Sequence, residues 1–272
     1  MSRAAYLLPT GRWGQRMGDA PVVDAMTAAL HDPFGHGHMG VTAENIAAKY
    51  GFTREQQDRF AVESHKRAAK ALEQGTFASQ IVPVELKTKK GVEQYTTDEH
   101  VRADASLENL AKLKPVFKKD GTVTAANASG INDAAAAVVL MDSKTAKHHK
   151  PMARLVAYAH AGVEPQLMGL GPIPAVKRVF EKAGLKPADM DVVESNEAFA
   201  VQAMAVTQDL GLDPAKVNPN GGAVALGHPI GATGCILTVK ALYELERIRK
   251  RYALVTMCIG GGQGIAAIFE RL

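Results

Sequence analysis

The protein has 272 residues, of which 22% are charged and 46% hydrophobic, a balance that is typical of a globular protein rather than a disordered chain. Its net charge is +4 with basic and acidic side chains interspersed, which argues against a nucleic-acid-binding surface. The apolar runs are too short to span a bilayer, and two cysteines make no disulfide framework, so the composition favours a cytoplasmic protein without a membrane partner.

Residues 1–40 are predicted to be irregular, because glycines and prolines interrupt every long periodicity. Three histidines, His31, His36 and His38, crowd the end of this stretch. A metal site needs ligands at a fixed geometry, whereas these residues are separated by glycines, so we expect no metal. A loop that lines a substrate pocket, with His38 and Met39 as its candidates, is the favoured interpretation, and solvated loop histidines are the alternative.

Two helices and a strand pair are predicted next. The first helix spans Thr42–Tyr50 before Gly51, and the second runs from a capping box at Thr53 and Gln56 towards Gly75. Strands 81–86 and 93–100 flank a predicted turn at 87–92. Residues 101–120 are predicted to be a loop with one short helix near 107–113. This loop also carries Arg102 and Phe117, which either contact a ligand or are solvated.

The amino-acid composition becomes apolar and rich in small residues from residue 122 onwards. The stretch 122–141 is predicted to form a short strand, a small-residue loop and a buried helix. Asn127 and Ser129 are candidates to donate hydrogen bonds to a bound carbonyl or amide. For Asn132 and Asp133, a helix cap is the preferred interpretation. A polar linker then separates this stretch from Pro151.

Residues 151–272 alternate between strand and helix patterns, which predicts a layered α/β domain. The predicted elements are a strand at 153–163, a helix from near Pro174 to Gly184, a strand at 190–196, a helix at 197–212, the glycine-rich loop Asn218–Gly234 with a helix after it, and two strands around Gly260–Gly262. The loop holds five glycines in seventeen residues, and such density is typical of a shaped loop that a ligand approaches closely.

Three candidate catalytic side chains lie at junctions between strands and loops in this half. Asn196 follows one strand, His228 lies in the glycine-rich loop, and Cys258 ends the next strand. Ligands of open α/β folds gather beyond the carboxyl ends of the strands, so these residues are predicted to converge on one pocket. A histidine near a cysteine is a thiol–base arrangement, while an asparagine can hold a water or stabilise an oxyanion. A helix cap, a loop histidine and a buried cysteine are the alternatives.

The motifs NEAF (Asn196–Phe199), GHPIGATG (Gly227–Gly234) and CIGGGQG (Cys258–Gly264) resemble the three C-terminal motifs of the thiolases. They also match in order and spacing, and further segments such as HMGVTAEN and KPVFKKDGTVTAANASGIND extend the resemblance over essentially the whole chain. The resemblance implies an α/β, thiolase-like layered αβαβα fold. It divides the chain into a partial N-terminal domain at 1–145, of which about 1–120 is the loop domain, and a C-terminal domain at 150–272.

The resemblance also implies acyl-CoA C-acyltransferase activity without a cofactor, with coenzyme A thioesters as substrates. His228 would activate a nucleophilic cysteine, Asn196 would hold an oxyanion-hole water, Cys258 would exchange the α-carbon proton, and Gly260 would donate its N–H to a second oxyanion hole. The coenzyme A and acyl pocket would be lined by His38, Met39, Arg102, Phe117, Ala125, Ser129, Met168 and Phe199.

One departure from the family concerns the acyl-accepting cysteine, which lies in an N-terminal segment that these residues do not include. We therefore expect the first βαβ half to be largely missing, the isolated chain to be inactive and poorly soluble, and a separate N-terminal chain or a full-length form to complete the enzyme. Cys235 follows GATG at a helix start, and the interpretations are a small buried filler or a substitute nucleophile. Family members usually form homo-oligomers.

Two other hypotheses remain beside the enzyme. The chain would be a truncated remnant that at most binds coenzyme A, or a dinucleotide-binding oxidoreductase. The sequence argues against the oxidoreductase, because GGGQG does not follow the order of strand, GxGxxG and helix that dinucleotide binding requires.

Overall fold

A four-stranded sheet organises the second half of the computed structural model, which describes all 272 residues. Its strands are β5 (Ala153–Gly162), β6 (Val192–Ser195), β7 (Tyr252–Ile259) and β8 (Gln263–Arg271), and their order is β5-β8-β7-β6. β6 and β7 are parallel, whereas β8 pairs with both of its neighbours in the antiparallel sense. All four strands predicted in this half are therefore present.

Helices cover both faces of this sheet. They are α6 (Pro172–Ala183), α7 (Ala200–Asp209) and α9 (Thr233–Ile248). Successive side chains of a strand point to opposite faces. Val193 and Leu254 accordingly join the larger core with α6 and α7, while Val192 and Val255 pack in a second cluster against the apolar face of α9. The sheet is thus the middle of three layers, as the alternating pattern predicts.

The helix boundaries in this half follow local signals, with small shifts from the prediction. α6 begins with Pro172 at its first position, two residues before Pro174, and it ends at Gly184, whose φ of 66° is left-handed. α7 begins at Ala200 rather than at residue 197, because Phe199 is extended. The glycine-rich loop contains one helical turn, α8 (Ala223–Leu226), and leads into α9 as predicted.

The first half contains two long helices that both pack against α7. α2 (Met39–Tyr50) ends at Gly51, and α3 (Arg54–Glu73) begins with the predicted capping box of Thr53 and Gln56. The other elements of the first half are β1 (Tyr6–Leu7), β2 (Val23–Asp24), α1 (Ala25–Ala29), β3 (Val84–Thr88), β4 (Gly91–Tyr95), α4 (Leu107–Ala111), α5 (Ser143–Ala146) and a 3₁₀ turn at Gly11–Trp13, and two further 3₁₀ segments, Pro165–Leu170 and Pro187–Asp189, lie in the second half. None of the helices combines the length and the apolar character that crossing a bilayer would require.

The predicted strand pair exists with shifted bounds. Its turn is only Lys89–Lys90, so β4 begins at Gly91 and ends at Tyr95, and residues 96–100 lie outside the strand. Gly91 has a φ of 127°, which a glycine tolerates, and this permits the tighter turn. The prediction of a turn over 87–92 was wrong because it assigned no structural role to that glycine.

The strand and helix predicted within residues 122–141 are both absent, apart from an isolated bridge between Ala128 and Phe199. No backbone group of residues 131–141 pairs with another backbone group, and the segment is largely exposed, with Val139 at 84% and Leu140 at 78%. The predicted helix was wrong because most helical stability in proteins comes from packing one face, and here no surface is available to that face. The proposed cap at Asn132 and Asp133 is wrong for the same reason.

Candidate active site

The glycine-rich loop is attached to the end of β6 by the side chain of its first residue, Asn218. Its Oδ1 accepts a hydrogen bond from the Ser195 N–H at 2.9 Å, and its Nδ2 donates to the Ser195 carbonyl at 2.8 Å. Asn218 has a φ of 45°, in the left-handed region that asparagine tolerates better than most residues. The loop therefore starts beside the carboxyl end of β6.

A buried carboxylate, Glu197, forms the second anchor of the loop. It accepts hydrogen bonds from the Ser64 hydroxyl at 2.7 Å, the Asn218 amide at 2.8 Å and the Val224 N–H at 3.2 Å. Burial raises the pKa of Glu197, and these three hydrogen bonds oppose that rise. A Cβ at Gly222 would lie 2.1 Å from the Glu197 carboxyl carbon, so the backbone reaches the carboxylate only because Gly222 has no side chain. Glu197 thus joins α3 and the segment between β6 and α7 to the loop.

His228 lies in the middle of this loop with both ring nitrogens paired. Its Nε2 is 3.4 Å from Asn196 Nδ2, and its Nδ1 is 2.7 Å from Thr233 Oγ1. The His228 backbone N–H donates to the Gly130 carbonyl at 3.1 Å, which holds the loop against the first half of the chain. Burial lowers the pKa of His228 to about 4, so the imidazole is neutral near pH 7.

Asn196 and Cys258 lie at the same end of the sheet, the carboxyl end of the parallel strands β6 and β7. β6 and β7 are parallel and in register from Val192–Ala253 to Ser195–Thr256, so Asn196 follows directly after its strand, beside the end of β7. The Asn196 N–H donates to the Thr256 carbonyl at 2.9 Å. Asn196 is completely buried, and its Oδ1 makes no hydrogen bond. The Asn196–His228 contact brings together two of the predicted catalytic residues.

Cys258 is a buried thiol near the end of β7. Burial raises its pKa to about 12, so it is protonated at neutral pH. It belongs to the same core cluster as Met39, Met168 and Phe199. A Cβ at Gly260 would be 3.7 Å from Met39 Sδ, which places the α2 N-terminus beside the glycine turn. Of the predicted pocket residues, Met39 therefore lies beside this strand end.

An aromatic stack extends the pocket from the start of α2. The rings of His38 and Phe117 are stacked with centroids 4.8 Å apart, and Phe117 meets Phe199 edge to face at 6.2 Å. His38 also accepts a hydrogen bond from the Gly40 N–H through Nδ1 at 3.0 Å. Burial, followed by the nearby His31, lowers the pKa of His38. His38, Phe117 and Phe199 therefore form one wall with Met39 beside His38 in the chain, and the assignment of these four residues to a substrate pocket stays a prediction.

The other predicted pocket residues are less closely grouped. Ser129 lies against the motif after β6, since its N–H donates to the Ala198 carbonyl at 3.0 Å. Ala125 is exposed in a turn. The Arg102 side chain is also exposed, while its N–H donates to His65 at 3.1 Å. The structure shows no contact of Ala125 or Arg102 with Asn196, and their assignment stays a prediction.

Asn127, a candidate ligand donor, is occupied by the protein itself. Its Oδ1 accepts from the Thr124 N–H at 2.8 Å, and its Nδ2 donates to Asp58 and to the Thr122 carbonyl. The side chain is completely buried. The proposed hydrogen bond from Asn127 to a bound carbonyl was wrong because both amide protons are already used.

His31 contacts the aromatic wall only through His38, and Cys235 takes no part in the contacts of His228. His31 and His38 face each other as a β-bridge with their rings edge to face at 5.2 Å, and no three potential metal-binding side chains converge anywhere in the chain. Cys235 is half-buried in the first turn of α9. Neither ring nitrogen of His228 is hydrogen-bonded to a cysteine, so the structure gives Cys235 no activating base.

The sequence analysis did not identify the residues that hold the candidate catalytic side chains in place. Thr233 was treated only as part of a motif, yet it pairs with His228, and Glu197 and Asn218 were not assigned any role. A hydroxyl in the first helical turn after a histidine is a detectable local signal for Thr233. The contact from Ser64 to Glu197 spans 133 residues, and no local pattern indicates it.

A separate cavity of about 550 Å³ lies between α3 and α7. Its walls include Phe52, Phe60, Met204 and Leu212, and none of the predicted catalytic or substrate residues lines it. The predicted site is therefore defined by the convergence of Asn196, His228 and the end of β7, and not by this cavity.

Comparison with known proteins gives consistent matches along the chain. Residues 1–144 match the family profile described as thiolase, N-terminal domain, and residues 149–271 match the profile described as thiolase, C-terminal domain. The beta-ketothiolase BktB of Cupriavidus necator is 64% identical over the whole chain, which covers 70% of that relative.

Two solved structures are similar in fold as well as in sequence. The acetyl-CoA acetyltransferase of Bacillus anthracis superposes with a TM-score of 0.94 at 47% identity, over 98% of this chain and 68% of that one. The human mitochondrial 3-ketoacyl-CoA thiolase in complex with CoA gives a TM-score of 0.91 at 42% identity, over 100% of this chain and 68% of that one.

Proposed function

The chain belongs to the thiolase family and has the layered α/β fold of thiolases, and we propose that its site transfers acyl groups between coenzyme A thioesters and carbon. The reaction is Claisen condensation of acyl-CoA or, in reverse, thiolysis of 3-ketoacyl-CoA. Relatives named beta-ketothiolase and acetyl-CoA acetyltransferase support this class of enzyme. The two profile matches support the proposed division into domains at 1–145 and 150–272.

The observation that carries the proposal is the contact between a neutral imidazole and a buried carboxamide beside a buried thiol. His228 Nε2 and Asn196 Nδ2 are 3.4 Å apart at the strand edge that Cys258 also leaves. Attack of a nucleophilic thiolate on a thioester produces an oxyanion, and preorganised donors lower the energy of that charge. We propose that His228 accepts the proton of the nucleophilic thiol and then donates a hydrogen bond to the oxyanion, with Asn196 holding a water beside it.

Cys258 has the properties of a proton carrier for the α-carbon. With a pKa of about 12, its thiol is protonated at rest. In thiolysis the C–C bond breaks, and the Cys258 proton goes to the carbanion of the departing acyl-CoA, which leaves a thiolate. In condensation Cys258 first gives its proton to the coenzyme A thiolate that leaves on acylation, and its own thiolate then removes the α-proton. The carbanion attacks the acyl-cysteine carbonyl, so the C–C bond forms as the thioester C–S bond breaks and the acyl-accepting cysteine leaves as a thiolate. The Gly260 N–H is proposed to stabilise the enolate oxygen, and the wall of His38, Met39, Phe117 and Phe199 is proposed to hold the acyl and pantetheine groups.

The acyl-accepting cysteine is proposed to come from sequence outside these 272 residues. The support is that His228 contacts neither cysteine of the chain and that the chain covers 70% of its beta-ketothiolase relative. We expect the isolated chain to bind coenzyme A without turnover. Binding without turnover is equally the property of the alternative function, a non-catalytic coenzyme A-binding remnant.

A complementation assay separates these two functions. Acetoacetyl-CoA thiolysis is measured for the chain alone and after mixing with a polypeptide that corresponds to the part of a beta-ketothiolase relative that the chain does not cover. The proposal expects turnover only in the mixture and its loss in His228→Ala and Cys258→Ala. No turnover in the mixture, with coenzyme A binding retained, supports the remnant, and turnover of the chain alone that vanishes in Cys235→Ala overturns the expected inactivity.

Assembly and location are further parts of the proposal. Exposed apolar residues along 131–141 favour a chain that is covered by further sequence or by other subunits, and homo-oligomers are proposed for the complete enzyme. The two free cysteines are compatible with a reducing cytoplasm, where an enzyme of acyl-CoA and fatty acid metabolism would act. Sedimentation of the natural protein and cell fractionation test these two statements.

A further inference from the structure

The side chain of Thr233 connects the candidate base to the start of α9. Its Oγ1 lies 2.7 Å from His228 Nδ1 and 3.0 Å from the Pro229 carbonyl oxygen, and the residue is 2% exposed. Both distances are those of good hydrogen bonds. The hydroxyl is therefore hydrogen-bonded to two protein atoms, the His228 Nδ1 and the Pro229 carbonyl oxygen.

The single hydroxyl proton determines the direction of both hydrogen bonds. The Thr233 hydroxyl donates to the Pro229 carbonyl, which has no proton of its own and also accepts from the Ala232 N–H at 2.8 Å and the Thr233 N–H at 3.0 Å. Having used its only proton, the hydroxyl can only accept from His228, and His228 Nδ1 must therefore carry a proton. In a neutral imidazole, a proton on Nδ1 leaves a lone pair on Nε2. Burial lowers the pKa of His228 to about 4, which agrees with a neutral ring.

We propose that Thr233 is a positioning residue that holds His228 as the Nδ1–H tautomer, so that Nε2 is available as a base. The catalytic meaning of this tautomer rests on the proposed function. Histidine side chains in water favour the opposite tautomer, with the proton on Nε2. That tautomer has no lone pair on Nε2 and cannot accept a thiol proton there.

The tautomer also orients the neighbouring amide. Since Nε2 is an acceptor, Asn196 presents its Nδ2–H towards His228, across the 3.4 Å contact. The opposite end of the amide, Oδ1, is buried and makes no hydrogen bond. An unpartnered acceptor in a buried site is costly unless a ligand or a water uses it. Thr233 thus sets which end of Asn196 is left to bind a donor.

Thr233 keeps the same role after His228 accepts a proton. The imidazolium still carries Nδ1–H, so the hydroxyl still accepts from it, and the contact between Thr233 and His228 does not rearrange on proton transfer. The relay ends at a carbonyl oxygen that cannot release a proton, so Thr233 does not carry protons itself. The proton stays on Nδ1 throughout, and only Nε2 changes state.

A structural explanation competes with this proposal. A threonine near a helix start can bond to the carbonyl four residues earlier without any functional consequence. α9 contains a second example, Thr238, whose Oγ1 donates to the Gly234 carbonyl at 2.8 Å and contacts no histidine. Thr238→Val therefore removes the same type of local hydrogen bond and is the matched control for Thr233→Val.

The test is histidine ¹⁵N nuclear magnetic resonance of the whole chain near pH 7, which distinguishes protonated from unprotonated ring nitrogens without requiring turnover. The His228 signals are identified by their loss in His228→Gln. The wild type is expected to show protonated Nδ1 and unprotonated Nε2. In Thr233→Val the ratio of Nδ1–H to Nε2–H is expected to fall by about threefold to tenfold, the value of one net hydrogen bond.

Two variants and one baseline keep the proposal falsifiable. Thr233→Ser retains the hydroxyl and is expected to keep the wild-type tautomer, as is Thr238→Val. A wild type with Nε2–H would overturn the proposal even if Thr233→Val did not fold, and so would a Thr233→Val protein whose ratio is unchanged. Because these signals require no substrate, they stand if the acyltransferase assay fails. Should that assay succeed, Thr233→Val is expected to lower kcat more than it changes KM, whereas Thr233→Ser restores kcat.

Discussion

The buried ion pair of Lys240 and Glu194 yields a prediction about the loop that carries His228. Lys240 Nζ lies 2.8 Å from Glu194 Oε2 and donates to the Gly221 carbonyl at 2.6 Å. The two side chains are 7% and 0% exposed. α9 is therefore connected through a single ammonium group both to β6 and to the glycine-rich loop. We expect Lys240→Met to destabilise the protein and to loosen this loop.

The magnitude follows from the burial of the partner. Removing one member of a buried pair leaves an uncompensated charge and costs about 3–5 kcal/mol of unfolding free energy. Burial is the main cause that raises the pKa of Glu194, and Lys240 opposes the rise. Without Lys240 the carboxyl pKa rises further, so Glu194 escapes part of the cost by binding a proton. The deficit is then expected to be larger at about pH 8 than at about pH 5.5.

A double-mutant cycle isolates the pair. Lys240→Met with Glu194→Met removes both charges and leaves only the Gly221 carbonyl without a partner, so the double variant is expected within about 1–3 kcal/mol of the wild type. Urea unfolding is followed by far-ultraviolet circular dichroism, because the one tryptophan, Trp13, is 85% exposed and its fluorescence would report little. A Lys240→Met variant as stable as the wild type would refute the reasoning. A double variant less stable than the single Lys240→Met variant would refute it as well.

Three further predictions concern the site. Gly40→Ala places a methyl group 2.3 Å from the Phe117 ring and is expected to cost about 1–3 kcal/mol, measured by urea unfolding. Cys258, with a pKa of about 12 against 9.0 for an ordinary thiol, is expected to react with iodoacetamide about 30-fold to 60-fold more slowly than a free cysteine, because the higher nucleophilicity of its thiolate partly offsets the lower thiolate fraction, measured by mass spectrometry. His228 has a pKa of about 4 when folded and 6.5 otherwise, so the unfolded chain binds protons first as the pH falls. The contribution of His228 to the free energy of unfolding is therefore fully present above pH 6.5 and is lost towards pH 4, by up to about 3 kcal/mol. Unfolding titrations of the wild type and of His228→Gln measure this contribution.

Each of these has a control within the same chain. Gly231→Ala has no atom within 4 Å of the added methyl and is expected to change stability by less than about 0.5 kcal/mol. Cys258 should react at an ordinary rate in denaturant, which excludes prior oxidation as the reason for slow labelling. A His228→Gln variant with the same acid sensitivity as the wild type would contradict the assigned pKa.

The elements that the sequence predicted well are those that local chemistry determines. The capping box of Thr53 and Gln56 starts α3, and the left-handed glycines at 51 and 184 end α2 and α6 as expected. Each of these signals depends on a few neighbouring residues. The strands β6 and β7 were also recognisable, since continuous apolar runs are typical of strands that are buried on both faces.

The failures occur where distant residues decide the structure. The Ala- and Val-rich segment 131–141 has an apolar composition, but composition does not say whether a second surface is present to bury it. Likewise, the amide of Asn127 looked available to a ligand until Asp58 and the Thr122 carbonyl were seen to use both of its protons. Such outcomes depend on partners as far as 69 residues away, which periodicity does not reveal.

The candidate site divides along the same line. The pairing of His228 with Thr233 spans five residues around one helix start, so the tautomer of the base is specified locally, by the motif itself. The pairing of His228 with Asn196 spans 32 residues and requires the parallel register of β6 and β7 together with the two anchors on Asn218 and Glu197. A change at Thr233 should therefore alter the chemistry of His228 and leave its position intact. A change at Glu197 should move the whole loop, and the histidine with it.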